Sequence, residues 1–175
     1  MTEKVLVIHD VPLSYKPADQ ISSFYAGDRT ARCKGCFGCW LKTPGECVMH
    51  DGSEHIGSVM AQSKEVWIFS SVLYGGFSME TKRVLDRCIP GVLPFFTWRH
   101  KRMHHCARYN NSPVFHIVFY NAETISEREK LLAEKIARAV SVNMNCSECS
   151  VKFIPGLPGR KEAADIENSI YCGQS

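Results

Sequence analysis

Three short runs of branched and aromatic residues punctuate the chain: Val5-Leu6-Val7-Ile8, Val66-Trp67-Ile68-Phe69 and Val114-Phe115-His116-Ile117-Val118-Phe119-Tyr120. Each is continuously apolar, or nearly so, without strict alternation. Such runs mark strands covered on both faces, as in a parallel sheet. Ser150-Val151-Lys152-Phe153-Ile154 is a weaker fourth run. Residues 21–25 read as a further strand or as a short helix opening at Pro17.

Helical periods fill the gaps. Ile56, Val59 and Met60 share one face, with Asp51 and Glu54 offering an N-cap signal ahead of them. Residues 79–88 follow Ser78 as a cap and carry Val84, Leu85 and Cys88 on one side. Residues 126–142 form the longest helical pattern. Leu132, Ile136, Ala139 and Val140 make its apolar stripe, and Ser126 with Glu129 spells a capping box. Strands alternating with helices predict an α/β fold, a parallel sheet with helices on both faces. Residues 89–109, rich in Pro, Phe, Trp, His and Arg, interrupt this order. An irregular connection of that length is usually functional or disordered, and the aromatic content speaks against disorder. We expect it to cover the site or a subunit interface. The last dozen residues read as a loosely packed tail.

The 175 residues are 45% hydrophobic and show no repeat or low-complexity linker, which suits a single domain, 1–175. With 21 basic against 18 acidic side chains, the formal charge of +3 carries no argument for nucleic acid. Arg99, His100, Lys101 and Arg102, with His104 and His105 behind them, are the nearest approach to a basic patch and read as a solvated loop. No run approaches the ~20 apolar residues of a membrane span. The opening MTEKVLVIHD reads as a buried strand and not as a signal peptide. A cytoplasmic setting follows, in which thiols stay reduced.

That setting matters for the densest chemical feature, Cys33, Cys36, Cys39 and Cys47 within RCKGCFGCWLKTPGEC. Three thiols at successive i, i+3 spacing, with a fourth beyond a Pro-Gly turn, can wrap a four-iron four-sulfur cluster. They can also hold zinc, or serve as small buried hydrophobes around a tight loop with Trp40 beneath. All three readings stand at this point. Cys146 and Cys149 read as a structural pair, and Cys88, Cys106 and Cys172 stand alone. A second feature is the glycine-bearing segment Ser70, Ser71, Val72, Leu73, Tyr74, Gly75, Gly76, Phe77, Ser78, which leaves one strand and enters a helix. It reads as an ordinary turn or as a loop that lets backbone approach a flat ligand.

CKGCFGCWLKTPGECVMHDG followed by SSVLYGGFSMETKRVLDR, together with RMHHCARY at residues 102–109, resembles the flavodoxin-like NAD(P)H-dependent FMN reductases, a family that includes iron–sulfur flavoproteins. The likeness runs from Cys33 to about Phe153. It implies a five-stranded parallel sheet with FMN at the carboxyl ends of its strands, and NAD(P)H as co-substrate. It implies flavin contacts from residues 70–77, with Asn121 and Ala122 as a second wall, and a cluster on the four cysteines. The cofactor carries such chemistry, so no catalytic acid or base is named; His104 and His105 are weaker candidates for a site role. The electron acceptor is a small molecule or a protein, and the protein is expected to be a homo-oligomer.

The chain departs from that family in two places. Ser71 and Leu73 stand where relatives often carry Pro and Tyr. More seriously, the first strand runs into His9-Asp10-Val11-Pro12-Leu13-Ser14-Tyr15-Lys16-Pro17, not into a glycine-rich loop and a full helix. A helix N-terminus and its free amides would hold the phosphate. Here Asp10 brings negative charge, Pro12 and Pro17 remove donors, and the first helix is shortened or absent. Lys16, Arg29 or a neighbouring subunit would have to substitute. The alternative is a non-catalytic flavodoxin-like subunit or binding module that has lost FMN.

Overall fold

The computed structural model describes residues 5–13, 21–27, 29–99 and 101–171. Its centre is a sheet of parallel strands in the order β2-β1-β3-β7-β8, formed by β1 (Val5–His9), β2 (Ile21–Tyr25), β3 (Glu65–Leu73), β7 (Val114–Tyr120) and β8 (Glu148–Phe153). A two-residue strand, β4 (Gly76–Phe77), pairs antiparallel with the end of β3. One register row runs Ile21, Val5, Glu65, Val114, Glu148, so alternate residues of all five strands share a face.

The two faces bury different sets. Leu6, Ile8, Val66, Ile68, Phe115, Ile117 and Phe119 meet α2 (Ile56–Gln62), α3 (Met79–Asp86) and α4 (Glu127–Asn143). Val5, Val7, Trp67, Phe69, Val118 and Tyr120 cluster with Ile166 of α5 (Arg160–Tyr171), and Val11 and Leu13 pack against them. The continuously apolar strands are thus covered twice, as their composition requires. The fold is α/β and flavodoxin-like. The ambiguous residues 21–25 are a strand. Residues 10–13 of the link from β1 to β2 are not helical; the remainder, with Tyr15, Lys16 and Pro17, lies outside the described residues. So do His100 and Cys172.

Several expectations need correction. Asp51 and Glu54 do not cap α2, whose N-cap residue is His55 and makes no side-chain cap bond; Asp51 has other partners, described below. Helix α4 has the expected capping box, with Ser126 and Glu129 each bonding the other's backbone N–H. Its innermost residues, however, are Ala133, Ala137 and Ser141, while Leu132 and Ala139 are exposed. Small side chains let this helix sit close to the sheet, and the larger Ile136 and Val140 flank the contact. Residues 89–109 are not irregular. A 3-10 turn (Ile89–Gly91) leads into a hairpin of β5 (Val92–Arg99) and β6 (Arg102–Ala107). The expected tail is largely α5, anchored by the buried Ala163 and Ile166. Among the described residues no helix is long and apolar enough to cross a membrane.

Candidate functional site

In an open parallel sheet a ligand site forms where the strand order reverses, here between β1 and β3 at their carboxyl ends. Residues 70–78 stand at that point, but as a hairpin and not as an open loop. β3 continues through Leu73, Tyr74 and Gly75 turn with φ of 50° and 73°, and the chain returns with Leu73 paired to Gly76 and Val72 to Phe77. Two successive positive φ values are the signature of a tight hairpin turn, and Gly at the second is its usual solution. Gly75 serves a close approach to protein. A Cβ there would lie 3.1 Å from the Glu129 carbonyl oxygen and 3.1 Å from Leu132 of α4. Phe77 is likewise committed to the core, its ring 5.1 Å from Phe119. Ser70 is buried and accepts the Ser78 N–H. Leu73 and Tyr74 are exposed on this rim, as is Tyr25 at the end of β2.

On the opposite side, Asn121 is exposed with φ 54°, and its N–H donates to the Gly156 carbonyl. Ala122 is buried and bonds Ile154. These two residues tie β7 to the end of β8. The ten predicted contact residues therefore share one edge of the sheet, yet Ser70, Gly75, Phe77 and Ala122 face protein.

Asp10 governs the centre of this edge. Its Oδ2 accepts the Ser71 backbone N–H at 3.0 Å and the Thr81 hydroxyl at 3.3 Å, and lies 3.4 Å from the Ser70 hydroxyl. Tyr120, which pairs in register with Ser71, stands beside Asp10. Burial and the adjacent carboxylate push the Tyr120 hydroxyl well above its ordinary value, keeping it a donor. Oδ1 of Asp10 is buried without a hydrogen-bond partner among the described residues. Thr81 and Tyr120 escaped the sequence reading. Their one-dimensional signal is faint: a polar residue on the buried side of a helix, and a Tyr closing a strand.

Whether FMN fits can be tested on these contacts. The rim offers apolar and aromatic surface suited to a ring. The phosphate does not fit the described residues. Its place after β1 is held by a carboxylate that already takes the convergent donors, and Pro12 offers no N–H. Arg29, a proposed substitute cation, is exposed.

The cysteine segment builds a second place. Residues 31–51 wrap around Arg87, whose buried guanidinium donates to Asp51 at 2.8 and 3.1 Å, to the Ala31 carbonyl at 3.1 Å and to that of Met49 at 3.0 Å. Burial opposes the Asp51 charge, but Arg87, Ser53 and the Ala31 N–H hold its carboxyl far below the usual range. Phe37, in the left-handed region, leads into the single-turn α1 (Gly38–Leu41), where Gly38 packs against Val48. Trp40 donates its indole N–H to Val92 of the hairpin at 2.9 Å. Its ring continues a chain of contacts, 5.4 Å from Phe37 and 4.9 Å from His105, with His105 in turn 4.7 Å from Phe96.

Between this loop, α3, α4 and the hairpin lies a cavity of about 780 Å³, and Cys33, Cys36, Cys39 and Cys47 all contribute to its wall. Cys33 and Cys36 are exposed, Cys39 is half-buried and Cys47 is buried. Burial raises the Cys39 thiol, and the neighbouring Cys47 and Cys33 raise it further. The thiols are thus near one another. Yet among the described residues no three His, Cys, Asp or Glu side chains are gathered closely enough to hold a metal ion. Cys146 and Cys149 stay apart from this cavity's wall, beside Ser141.

Strand order, register and helix placement define a flavodoxin-like α/β protein. Among solved structures the chain is similar to the azoreductase AzrA, with 9% identity, 97% of this chain and 94% of that one covered, and a TM-score of 0.54. It is also similar to an FMN-dependent NADH-azoreductase from Bacillus anthracis str. Ames Ancestor in complex with FMN (9%, 96% and 95%, 0.53). An azoreductase from Bacillus anthracis str. Sterne gives 9%, 98% and 94%, and 0.55. No family model and no curated protein sequence matches the chain.

Proposed function

We propose that this chain is an NAD(P)H-dependent flavin oxidoreductase of the flavodoxin-like class, passing electrons to a small molecule or a protein. The strand order carries the reading. It puts the Leu73–Tyr74 rim at the end of β3, which borders the β1/β3 switch point, and Asn121 at the end of the neighbouring β7, in an architecture shared with a protein whose structure contains FMN. The four cysteines, sharing one cavity wall, support a four-iron four-sulfur centre as a further part of the proposal, once the exposed Cys33 and Cys36 close on Cys39 and Cys47. Reduced thiols suit a cytoplasmic setting. We further propose a homo-oligomer formed through the hairpin β5–β6, where Phe95, Phe96, Trp98 and Met103 are all exposed.

One observation favours a second reading, a binding module without catalysis: Asp10, directly after β1, takes the Ser71 and Thr81 donors for its own carboxylate. Anaerobic purification with an absorption scan, an iron assay and NADH oxidation in the presence of added flavin separates the two. Flavin bands, or flavin-stimulated NADH consumption, support the oxidoreductase; a brown shoulder with stoichiometric iron supports the cluster. A colourless protein inert towards NADH and added flavin leaves the binding module.

A further inference from the structure

Resting on the flavin reading above, we propose that Asp10 is a specificity-determining residue: the carboxyl edge admits an unphosphorylated flavin, of the riboflavin class, and excludes FMN. Three contacts converge on Asp10 Oδ2, from Ser71 N–H, Thr81 and Ser70, and the Tyr120 hydroxyl stands beside the same carboxylate. Donors aimed at one point at a sheet's carboxyl edge are what an anionic ligand requires. Here the anion is built into the chain. A phosphate group brought to this edge finds its donors taken and a like charge in their midst, with the repulsion strengthened by partial burial.

Among the described residues, the chain that follows supplies no replacement. Pro12 has no N–H, while Val11 and Leu13 pack into the apolar cluster on the α5 face. His9 is buried, held by the Val11 carbonyl at 2.7 Å and the Ser23 hydroxyl at 2.9 Å, and its burial favours the neutral ring. Among the described residues no cation forms an ion pair with Asp10.

The second carboxylate oxygen argues for what the edge accepts. Asp10 Oδ1 is buried and has no hydrogen-bond partner among the described residues. An orphaned acceptor of this kind is costly unless a donor arrives. A flavin ring carries an imide N–H, and its ribityl chain carries hydroxyls; both are uncharged donors. The aromatic and apolar rim of Tyr25, Leu73 and Tyr74 offers surface for the ring itself. Every feature selects for a neutral, donor-bearing flat ligand.

Riboflavin and FMN share one ring and differ in the phosphate, so a pair of fluorescence-quenching titrations reads the discrimination directly. The wild-type chain binds riboflavin at least about tenfold more tightly than FMN, the scale expected for one uncompensated like-charge contact. Asp10→Asn, of nearly the same shape, raises FMN affinity relative to riboflavin by a similar factor and so closes the gap between the two flavins. Asp10→Glu, which keeps the charge, preserves the preference, and high salt narrows it in the wild type. Equal binding of the two flavins by the wild type, or a gap unchanged in Asp10→Asn, overturns the inference and leaves the flavin reading standing. If the wild type binds neither flavin, the flavin reading falls. In that case a gain of FMN binding in Asp10→Asn still upholds exclusion by Asp10, and no gain overturns it.

Discussion

Arg87, at the C-cap of α3, holds Asp51 of the cysteine segment in a two-pronged contact at 2.8 and 3.1 Å, and 1% of Arg87 is exposed. The pair is the keystone of residues 31–51, because the same two side chains also bond Ala31, Met49 and Ser53. Asp51→Asn leaves a buried guanidinium poorly compensated. It is expected to cost about 3 kcal/mol at neutral pH, measured by urea unfolding. The Asp51 carboxyl titrates lower in the folded chain than the ~3.9 of an unfolded one. Its contribution is therefore complete above the unfolded value and is lost as pH falls towards the folded one. The deficit of the variant shrinks in acid.

Two histidines act in the same direction, over a higher pH range. His9 is buried, and His116 stacks on Trp67 at 4.3 Å with Glu65 3.2 Å away. Burial depresses both rings, against the pull of Val11 and Asp10 on one and of Glu65 on the other. The unfolded chain takes up protons near pH ~6.5, before the folded one does. Stability is then full above that value and declines below it, until the folded pKa values are passed. Unfolding midpoints at about pH 7.5 and about pH 5.5 should show the decline. His116→Gln should reduce it.

Gly57 of α2 and Gly91 of the 3-10 turn allow two backbones to touch. A Cβ on Gly91 would stand 2.5 Å from the Gly57 carbonyl oxygen, and one on Gly57 would stand 2.8 Å from that of Cys88. Gly91→Ala is expected to destabilise by about 1–3 kcal/mol, the cost of overpacking a close contact. Gly35, with φ 62° and open space around it, should lose only the cost of left-handed backbone, about 1–2 kcal/mol, on change to Ala. Thermal melts of the two variants give the comparison.

Thiol labelling should follow the structure. Cys33 and Cys36 are exposed, whereas Cys88 is fully buried and its thiol is pushed far up by that burial. In metal-free protein a disulfide reagent modifies Cys33 and Cys36 first, and Cys88 only on unfolding. If the proposed iron centre is loaded, Cys33, Cys36, Cys39 and Cys47 become protected together.

Assembly should depend on the hairpin. Trp98 is 73% exposed and Phe95 66%. Replacing both by Glu is expected to shift sedimentation towards a smaller species while leaving the far-ultraviolet circular dichroism unchanged.

Much of the fold was legible because burial on two faces leaves a mark in one dimension. Val5 to Ile8, Val66 to Phe69 and Val114 to Tyr120 are continuous apolar runs for that reason, and Ser78 and Ser126 announced their helices through local cap chemistry. Residues 21–25 were ambiguous because Ser22 and Ser23 lie on an edge strand that is largely exposed. The hairpin at residues 92–107 hid because Phe95, Phe96 and Trp98 do not alternate cleanly between core and solvent. Gly75 and Gly76 looked like room for a ligand, whereas the residues that claim the space near Gly75, Glu129 and Leu132, lie some fifty-five positions away.

Local patterning thus settled β1, β3, β7 and β8 and the helices α2, α3 and α4, that these strands run parallel, and that Asp10 breaks the usual anion-binding sequence. Which atoms Asp10 meets was decided by the assembled sheet. Ser71 is sixty-one positions from it and Thr81 seventy-one, and Tyr120 joins only because β7 pairs with β3. Periodicity and capping act within a few residues along the chain and so can be read from it. A carboxylate's partners depend on which distant strands and helix ends converge around it, and that is a property of the folded chain alone.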